Sequence, residues 1–216
     1  MIQYLLFDLD NTLYSEASGL ETGVLRRINQ FVADMFGMPY EEAVHFRREH
    51  TKPHGTTLEW LMAEQGFNEP ERYFRYIHPE GEEDCLEPDL VLRAVLESMP
   101  QPKAIMTNAP ADHARRILLR LGVADCFIGV YDIWFNDLRG KPHPDAYRRT
   151  LEACGFDIAR TLFIDDHPKY IKGYVDLGGI AVLKDEMDRF ESLPWPRIRT
   201  VYELPEMMEK LEGQAF

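Results

Sequence analysis

The chain has 216 residues, of which 45% are hydrophobic and 28% charged, a composition typical of one large globular domain or of a core domain with a smaller insertion. Its formal net charge of −13 argues against nucleic acid polymers and anionic membranes as partners, because both require a cationic protein surface. The three widely spaced cysteines (Cys85, Cys126 and Cys154) fit reduced thiols in a cytoplasmic protein better than a disulfide framework or a zinc site.

The first elements in chain order are a strand and a group of helices. An apolar run beginning at Leu5 predicts a buried strand, and after Tyr14 the apolar residues recur at helical spacing. Helices are predicted at about 18–36, 40–49, 58–66 and 69–77, with a surface loop at 79–84. Residues 16–87 are therefore predicted to be all-helical.

From Glu87 onward, strands alternate with helices. Strands are predicted at 103–107, 127–130, 161–164, 180–183 and, at an edge, 195–201. The helices between them are predicted at about 92–99, 110–122, 144–154, 168–177 and 205–211. This alternation predicts a doubly wound α/β fold with a parallel sheet covered on both faces. The predicted core comprises residues 1–15 and 88–216, and residues 16–87 form an all-helical insertion.

Two carboxylates, Asp8 and Asp10, follow the first predicted strand two residues apart. Because strand side chains alternate between faces, both are expected on one side near the end of the strand. Two such anions raise each other's pKa unless a cation lies between them, and a hard cation such as Mg²⁺ prefers oxygen ligands. The alternative is a strand that simply ends in a polar turn, with Asp10, Asn11 and Thr12 as turn and cap residues.

Polar residues also follow the other predicted strands. Thr107 and Asn108 end the second strand and precede a helix start, where free N–H groups favour an anion, and Asp165-Asp166 end the fourth. Lys141 lies in the loop before a later helix. Ligands of open parallel sheets bind beyond the carboxyl ends of the strands. The set therefore predicts a site for a metal and a phosphoryl group.

These motifs, in this order, resemble those of the haloacid dehalogenase superfamily of phosphotransferases. The matching positions are an Asp-x-Asp-x-Thr motif at Asp8 to Thr12, Thr107, Lys141 and the pair Asp165-Asp166. A helical cap inserted just after the first motif is the superfamily's type 1 arrangement, which matches residues 16–87. Finer details, the Asn-Thr-Leu-Tyr ending and the segments 106–109 and 140–143, resemble the pyrimidine 5′-nucleotidase branch.

The resemblance implies a phosphatase with an aspartyl-phosphate intermediate. Asp8 is the implied nucleophile, and Asp10 is the implied general acid toward the leaving alcohol and then the base that activates water. Lys141 is expected to stabilise both the phosphate and the nucleophile. Dehalogenase members lack an acid/base at the position of Asp10, which favours phosphatase activity here.

The resemblance also implies a Mg²⁺ site and a phosphate site. Asp8 and Asp166 are the expected direct carboxylate ligands, with Asp165 adjacent and acting through water, and Asp10 is expected to add its backbone carbonyl. The hydroxyl of Thr107 and the N–H of Asn108 are expected to hold phosphoryl oxygens. These two expectations define the cofactor and the anionic group of the substrate.

The substrate is expected to be a small phosphorylated metabolite, either a nucleoside 5′-monophosphate or a small sugar phosphate, bound by a monomer or a homodimer. His167 either contacts the site or is a loop histidine without a role, and the aromatic residues of the cap are either core or a base-stacking surface: Trp60, Phe67, Tyr73, Phe74 and Tyr76. A sugar phosphomutase shares every core motif and is an alternative. A phospho-accepting receiver domain is another, although receivers place adjacent acids after the first strand and lack a helical insertion.

Overall fold

One parallel sheet organises the fold in the computed structural model, which describes residues 1–213. Its six strands within those residues are β1 (Tyr4–Phe7), β2 (Lys103–Met106), β3 (Val130–Tyr131), β4 (Thr161–Asp165), β5 (Ile180–Lys184) and β6 (Arg197–Ile198). Their order is β3-β2-β1-β4-β5-β6, and every neighbouring pair is parallel. The predicted doubly wound fold is confirmed, and its topological switch point lies between β1 and β4, where such sheets bind ligands.

Helices occupy both the insertion and the connections between strands. Between β1 and β2 lie α1 (Leu20–Phe36), α2 (Tyr40–His50), α3 (Thr57–Gln65), α4 (Pro70–Ile77) and α5 (Leu90–Ser98), with a 3₁₀ turn at Glu82–Cys85. The later helices are α6 (Ala111–Leu121), α7 (Pro144–Cys154), α8 (Pro168–Val175) and α9 (Leu204–Gly213). The predicted core boundary at residue 216 falls outside the described residues. No helix within residues 1–213 is long and apolar enough to cross a membrane.

The two faces of the sheet carry separate apolar clusters. Leu5 and Phe7 of β1 pack into one cluster, whereas Leu6 packs into the other, as the alternation of strand side chains requires. The first cluster also includes Phe31 and Trp60 of the helical insertion. The insertion is thus continuous in packing with one face of the sheet, and the carboxyl edge of the sheet lies beside the insertion.

Two local predictions from the sequence are only partly correct. The third strand begins at Val130 rather than at residue 127, although the N–H of Ile128 already donates to the carbonyl of Lys103 at 2.8 Å. The surface loop predicted at 79–84 is exposed at residues 79–81, whereas residues 82–84 belong to the 3₁₀ turn and the side chain of Glu82 is only 2% exposed. Cations around Glu82, described below, hold this segment against the core.

Candidate active site

A lysine between two carboxylates occupies the switch point of the sheet. Asp8 directly follows β1, and Asp165 is the last residue of β4. Lys141 Nζ lies 2.6 Å from Asp8 Oδ1 and 2.6 Å from Asp165 Oδ2, and the Lys141 side chain is fully buried. Burial opposes the charge of Lys141, but the two carboxylates outweigh it and raise the pKa of the lysine. The predicted residues Asp8, Lys141 and Asp165 are therefore in direct contact.

Asp166 completes what we call the lysine-centred cluster (Asp8, Lys141, Asp165 and Asp166). Carboxylate oxygens of Asp8, Asp165 and Asp166 lie within 4.8 Å of one another. Burial, followed by repulsion from Asp165 and Asp8, raises the pKa of Asp166 well above its usual range. One lysine does not neutralise two buried carboxylates and a third that is half-buried, so this all-oxygen donor set fits a hard divalent cation.

The two members of the acidic pair face different partners. Asp165 Oδ2 accepts from Lys141, and its Oδ1 accepts from the N–H of His167 at 2.8 Å. Asp166 instead lines the cavity in front of the sheet, as does His167, whose Nδ1 accepts from the N–H of Lys169 at the start of α8. The assignment of Asp166 as the direct metal ligand stays a prediction. His167 serves at least as a helix cap.

The carboxylate of Asp8 is held at both oxygens. Oδ1 contacts Lys141, and Oδ2 accepts from the hydroxyl of Thr12 at 3.0 Å. The turn between them passes through Asn11, whose φ of 55° lies in the left-handed region that asparagine tolerates better than most residues. The turn therefore fixes the orientation of Asp8 at the end of β1.

Thr107 and Asn108 lie at the end of β2, as predicted, with part of their polar atoms used inside the protein. The buried hydroxyl of Thr107 accepts from the N–H of Ala109 at 3.0 Å. The side chain of Asn108 donates to the carbonyl of Lys141 at 2.9 Å and accepts from its N–H at 2.7 Å. A Cβ at Gly140 would lie 2.0 Å from Asn108 Oδ1, so only glycine permits this approach. The Asn108 side chain positions the lysine loop, and phosphate binding by both residues stays a prediction.

Asp10 belongs to a second group, which we call the histidine-centred cluster (Asp10, Tyr14, His113 and Glu82). Asp10 Oδ1 accepts from the hydroxyl of Tyr14 at 2.7 Å and from His113 Nε2 at 2.7 Å. His113 Nδ1 lies 2.6 Å from Glu82 Oε1. Both ring nitrogens face carboxylate oxygens, so both donate, as only the protonated ring can. The predicted contact of Asp10 with a metal through its backbone carbonyl stays untested.

The charges of this cluster stabilise one another. Burial raises the pKa of Asp10, but the charge and hydrogen bond of His113 outweigh it and lower this pKa to about 2. Burial lowers the pKa of His113, but Asp10 and Glu82 raise it to about 10. The carboxylate and the imidazolium therefore coexist near neutral pH.

The sequence analysis did not identify His113 or Glu82. One signal was available, because His113 lies four residues before Ile117 on α6 and therefore on its apolar face. A polar side chain on a buried helix face requires a partner. The sequence alone did not show that Glu82, 31 positions earlier, supplies it.

A cavity of about 500 Å³ lies in front of both clusters, between the sheet edge and the helical insertion. Its wall is apolar at Val24, Ile28 and Leu58, and Arg47 contributes a cation. Of the aromatic residues considered for base stacking, Tyr73 and Phe74 are buried and line the cavity. Trp60 is fully buried in the core, and Phe67 packs against the same apolar cluster, so both fit the interpretation as core residues. Tyr76 is exposed.

The fold has a Rossmann-like core in which the carboxylate of Asp8, at the end of the first strand, contacts Lys141. A family model described as haloacid dehalogenase-like hydrolase matches residues 2–174, and the chain belongs to this family. The predicted superfamily is thus confirmed. The pyrimidine 5′-nucleotidase branch stays a prediction.

The proteins similar to this chain include a phosphatase and several dehalogenases. The chain is 24% identical over 186 residues to Phosphate metabolism protein 8 of Saccharomyces cerevisiae, covering 80% of this chain and 58% of that protein. A HAD phosphatase from Thermococcus onnurineus has a TM-score of 0.64 with 21% identity, covering 96% of this chain and 98% of that one. L-2-haloacid dehalogenase from Xanthobacter autotrophicus has a TM-score of 0.61 with 17% identity, covering 97% and 99%. The structural similarities establish the fold.

Proposed function

We propose that the chain is a Mg²⁺-dependent phosphomonoester hydrolase that acts through an aspartyl-phosphate. One observation carries this proposal: two carboxylates separated by one residue have different surroundings. Asp8 contacts Lys141 within the lysine-centred cluster, whereas Asp10 is held by Tyr14 and His113. Carboxylates with distinct surroundings suit distinct roles, here a nucleophile and an acid/base. Dehalogenation needs only the first of them.

The residues that would hold Mg²⁺ are Asp8 and Asp166, with Asp165 acting through water and Asp10 through its backbone carbonyl. We assign Asp165 the indirect role because it is fully buried, whereas Asp8 and Asp166 line the cavity in front of the sheet. A bound Mg²⁺ neutralises charge on Asp8 and on the phosphoryl oxygens, which lowers the repulsion between these two anions.

In the first step, an oxygen of Asp8 forms a bond to phosphorus while the bond between phosphorus and the ester oxygen breaks. Asp10 donates its proton to the departing oxygen, so the first product is the free alcohol. The negative charge of a bound phosphoryl group opposes the effect of His113 and favours the protonated form of Asp10.

In the second step, Asp10 accepts a proton from water as the water oxygen bonds to phosphorus. The bond between phosphorus and Asp8 breaks, and inorganic phosphate is released. Asp8 returns as a carboxylate and Asp10 returns protonated, so the cycle closes. Thr107, the N–H of Asn108 and Lys141 hold the phosphoryl oxygens in both steps, where positioning and electrostatics supply most of the catalysis.

The leaving group is proposed to occupy the cavity beneath the helical insertion, with residues 16–87 acting as a cap domain over a core of residues 1–15 and 88–216. A cavity of about 500 Å³ lies within the range of small-molecule sites. Its apolar wall and Arg47 suit a nucleoside 5′-monophosphate or a small sugar phosphate. The substrate is therefore a small phosphorylated metabolite, hydrolysed by a monomer or homodimer.

The test is phosphate release from UMP, CMP, dUMP, AMP, several sugar phosphates and p-nitrophenyl phosphate, with Mg²⁺ and with chelator. We expect metal-dependent release by the wild type and none by Asp8→Asn. Preference for UMP or CMP assigns the pyrimidine 5′-nucleotidase branch. Halide release from 2-haloacids, or phosphoryl transfer between sugar hydroxyls without phosphate release, would instead identify a dehalogenase or a mutase.

A further inference from the structure

The histidine-centred cluster joins the proposed acid/base to the helical insertion. Asp10 follows β1 and His113 lies on α6, both in the core, whereas Glu82 lies in the segment that leaves the insertion. The His113 ring is fully buried between the two carboxylates, at 2.7 Å and 2.6 Å. The His113 imidazole therefore links Glu82, in the insertion, to Asp10, the proposed acid/base in the core.

We propose that His113 is a positioning residue for Asp10, and that Glu82 orients His113 only when the helical insertion is docked on the core. This inference rests on the proposed function. According to this proposal, Asp10 is correctly oriented for proton transfer only when the insertion is packed against the core.

The hydrogen bonds of Asp10 support a positioning role. Tyr14 and His113 both donate to Oδ1, and within residues 1–213 no group of the protein contacts Oδ2 at hydrogen-bond distance. The Asp10 side chain is 18% exposed and lines the cavity. Two donors thus fix one oxygen of a carboxylate that lines the cavity and leave the other oxygen available to a bound leaving group, a requirement of proton transfer in a set geometry.

Glu82 receives cations from both parts of the fold. Its carboxylate contacts Arg27 of α1, in the insertion, and Arg116 of α6, in the core, besides His113 and His78. Undocking of the insertion would break the contacts of Glu82 with Arg116 and His113, both on α6, and would leave a buried imidazole with one partner, which costs more than a lost exposed contact. The orientation of His113 is therefore coupled to docking.

A transition-metal site is the competing interpretation of the same residues. Ligand atoms of His78, Glu82 and His113 lie within 4.8 Å of one another, a donor set that zinc uses. Arg27 and Arg116 already pair with Glu82, however, and Asp10 accepts from the second ring nitrogen of His113. Two guanidinium groups beside the carboxylate disfavour an added cation. The hydrogen-bonded interpretation fits better.

The test compares two esters that differ in how much they need a general acid. The leaving group of p-nitrophenyl phosphate departs without protonation, whereas an alkyl ester such as UMP or a sugar phosphate needs a proton. We expect His113→Ala to lower kcat/KM about 100-fold for the best alkyl ester and less than about 5-fold for p-nitrophenyl phosphate. We expect His113→Gln, which keeps a donor and most of the volume, to recover about 10-fold of the alkyl loss.

His45→Gln is the control, because His45 is an exposed histidine of α2 and belongs neither to the cluster nor to the lining of the cavity. We expect it to leave the ratio of the two kcat/KM values unchanged. Equal losses for both esters in His113→Ala, or the same change of ratio in His45→Gln, would overturn the proposal. One equivalent of transition metal retained by the wild type and lost in His78→Gln would overturn it in favour of a metal site.

A readout that needs no activity separates this inference from the proposed function. In nitrogen-15 NMR, the His113 ring signals, assigned by their loss in His113→Gln, should show two hydrogen-bonded N–H protons. Both should shift in Asp10→Asn and in Glu82→Gln. If the wild type hydrolyses no ester but these shifts occur, the proposed function fails and the contact stands. If either variant leaves the ring signals unmoved, the positioning role is overturned.

Discussion

The lysine-centred and histidine-centred clusters share one arrangement of charges but are carried by different structural elements. In each, one buried cation bridges two carboxylates: Lys141 bridges Asp8 and Asp165, and His113 bridges Asp10 and Glu82. The lysine-centred carboxylates all lie at the ends of two adjacent strands, β1 and β4. The histidine-centred cluster instead joins a strand end, a core helix and the helical insertion.

This difference separates the two chemical tasks. Neighbouring strands of one sheet hold their ends at a fixed spacing, so the proposed nucleophile and the proposed metal-binding carboxylates are preorganised by the core alone. The proposed acid/base depends on packing between two parts of the chain. Substitutions in the lysine-centred cluster should therefore abolish chemistry with every substrate, whereas those in the histidine-centred cluster should discriminate among leaving groups.

The largest effect is expected from Asp8→Asn, which removes the proposed nucleophile. We expect kcat to fall by about 10⁴-fold or more for alkyl and nitrophenyl esters alike. Without metal, the free energy of unfolding should be unchanged or higher, because one of several buried negative charges is lost. Phosphate release and urea unfolding measure the two effects. Asp145→Asn, whose side chain is 85% exposed, is the control, and activity within 10-fold of wild type in Asp8→Asn would show that Asp8 is not the nucleophile.

The second largest effect is expected from Lys141→Met, which leaves Asp8 and Asp165 buried without their cation. We expect a loss of about 10³-fold in kcat/KM and, in chelator, a loss of about 3–5 kcal/mol in the free energy of unfolding. Urea unfolding with and without Mg²⁺ measures the stability change. Lys172→Met, at a 65% exposed side chain, should change neither quantity. A fully stable Lys141→Met protein would mean that the lysine is not required to balance the cluster.

The residues of the lysine-centred cluster at strand ends could be predicted from the sequence more directly than the residue in a loop. Asp8, Thr107 and the acidic pair stand directly after strands, and parallel strands bring such residues to one edge whatever the remaining packing is. Lys141 lies in a loop, and only its motif indicated that it reaches the cluster. For the fold, alternation and helical periodicity located the strands and helices, and the short edge strands were the least accurately bounded.

The contacts that the sequence missed all depend on how separate elements pack. Glu82 meets His113 because the 3₁₀ turn docks beside α6, and no local periodicity encodes that juxtaposition. The Asn108 side chain reaches the backbone of Lys141 because Gly140 leaves room for it, which is visible only once both loops are placed. Residues at strand ends can be located from the local sequence pattern, whereas contacts between separately formed elements cannot.

A smaller effect, on the free energy of unfolding, is expected from the pH dependence of Glu82. Burial raises the pKa of Glu82, but hydrogen bonds from His113 and His78 outweigh it and lower the pKa to about 2. A carboxyl with a depressed folded pKa stabilises the protein above its unfolded value of 4.5, and this stability is lost as the pH falls toward 2. The wild type should therefore lose up to about 1.4 kcal/mol per pH unit through this group below pH 4.5.

Urea unfolding between pH 5 and pH 3 measures this slope. Glu82→Gln should be less stable than the wild type at pH 6 and should show a shallower loss on acidification, so the two curves converge toward low pH. Glu87→Gln, at an 83% exposed side chain, should follow the wild type. Parallel curves for wild type and Glu82→Gln would mean that the Glu82 carboxylate is not stabilised by its buried partners.

The smallest effect is expected from Arg47, which lies in neither cluster but lines the same cavity. Its Nε donates to Asn29 at 2.6 Å and its Nη1 to Thr57 at 3.3 Å, and within residues 1–213 it forms no salt bridge with a carboxylate. Because its guanidinium lines the cavity and pairs with neutral groups only in these contacts, a bound anionic acceptor would gain a charged hydrogen bond.

Arg47→Ala should therefore raise KM for the best substrate about 10-fold and change kcat less than about 2-fold, because the contact is made equally in the ground and transition states. Arg48→Ala, an exposed change on the same helix, is the control. Steady-state kinetics with the substrate and with p-nitrophenyl phosphate separate binding from chemistry. If kcat falls for both esters while KM is unchanged, Arg47 contributes to the chemical step rather than to substrate binding. The expectation that it serves only as part of the cavity wall would then be wrong.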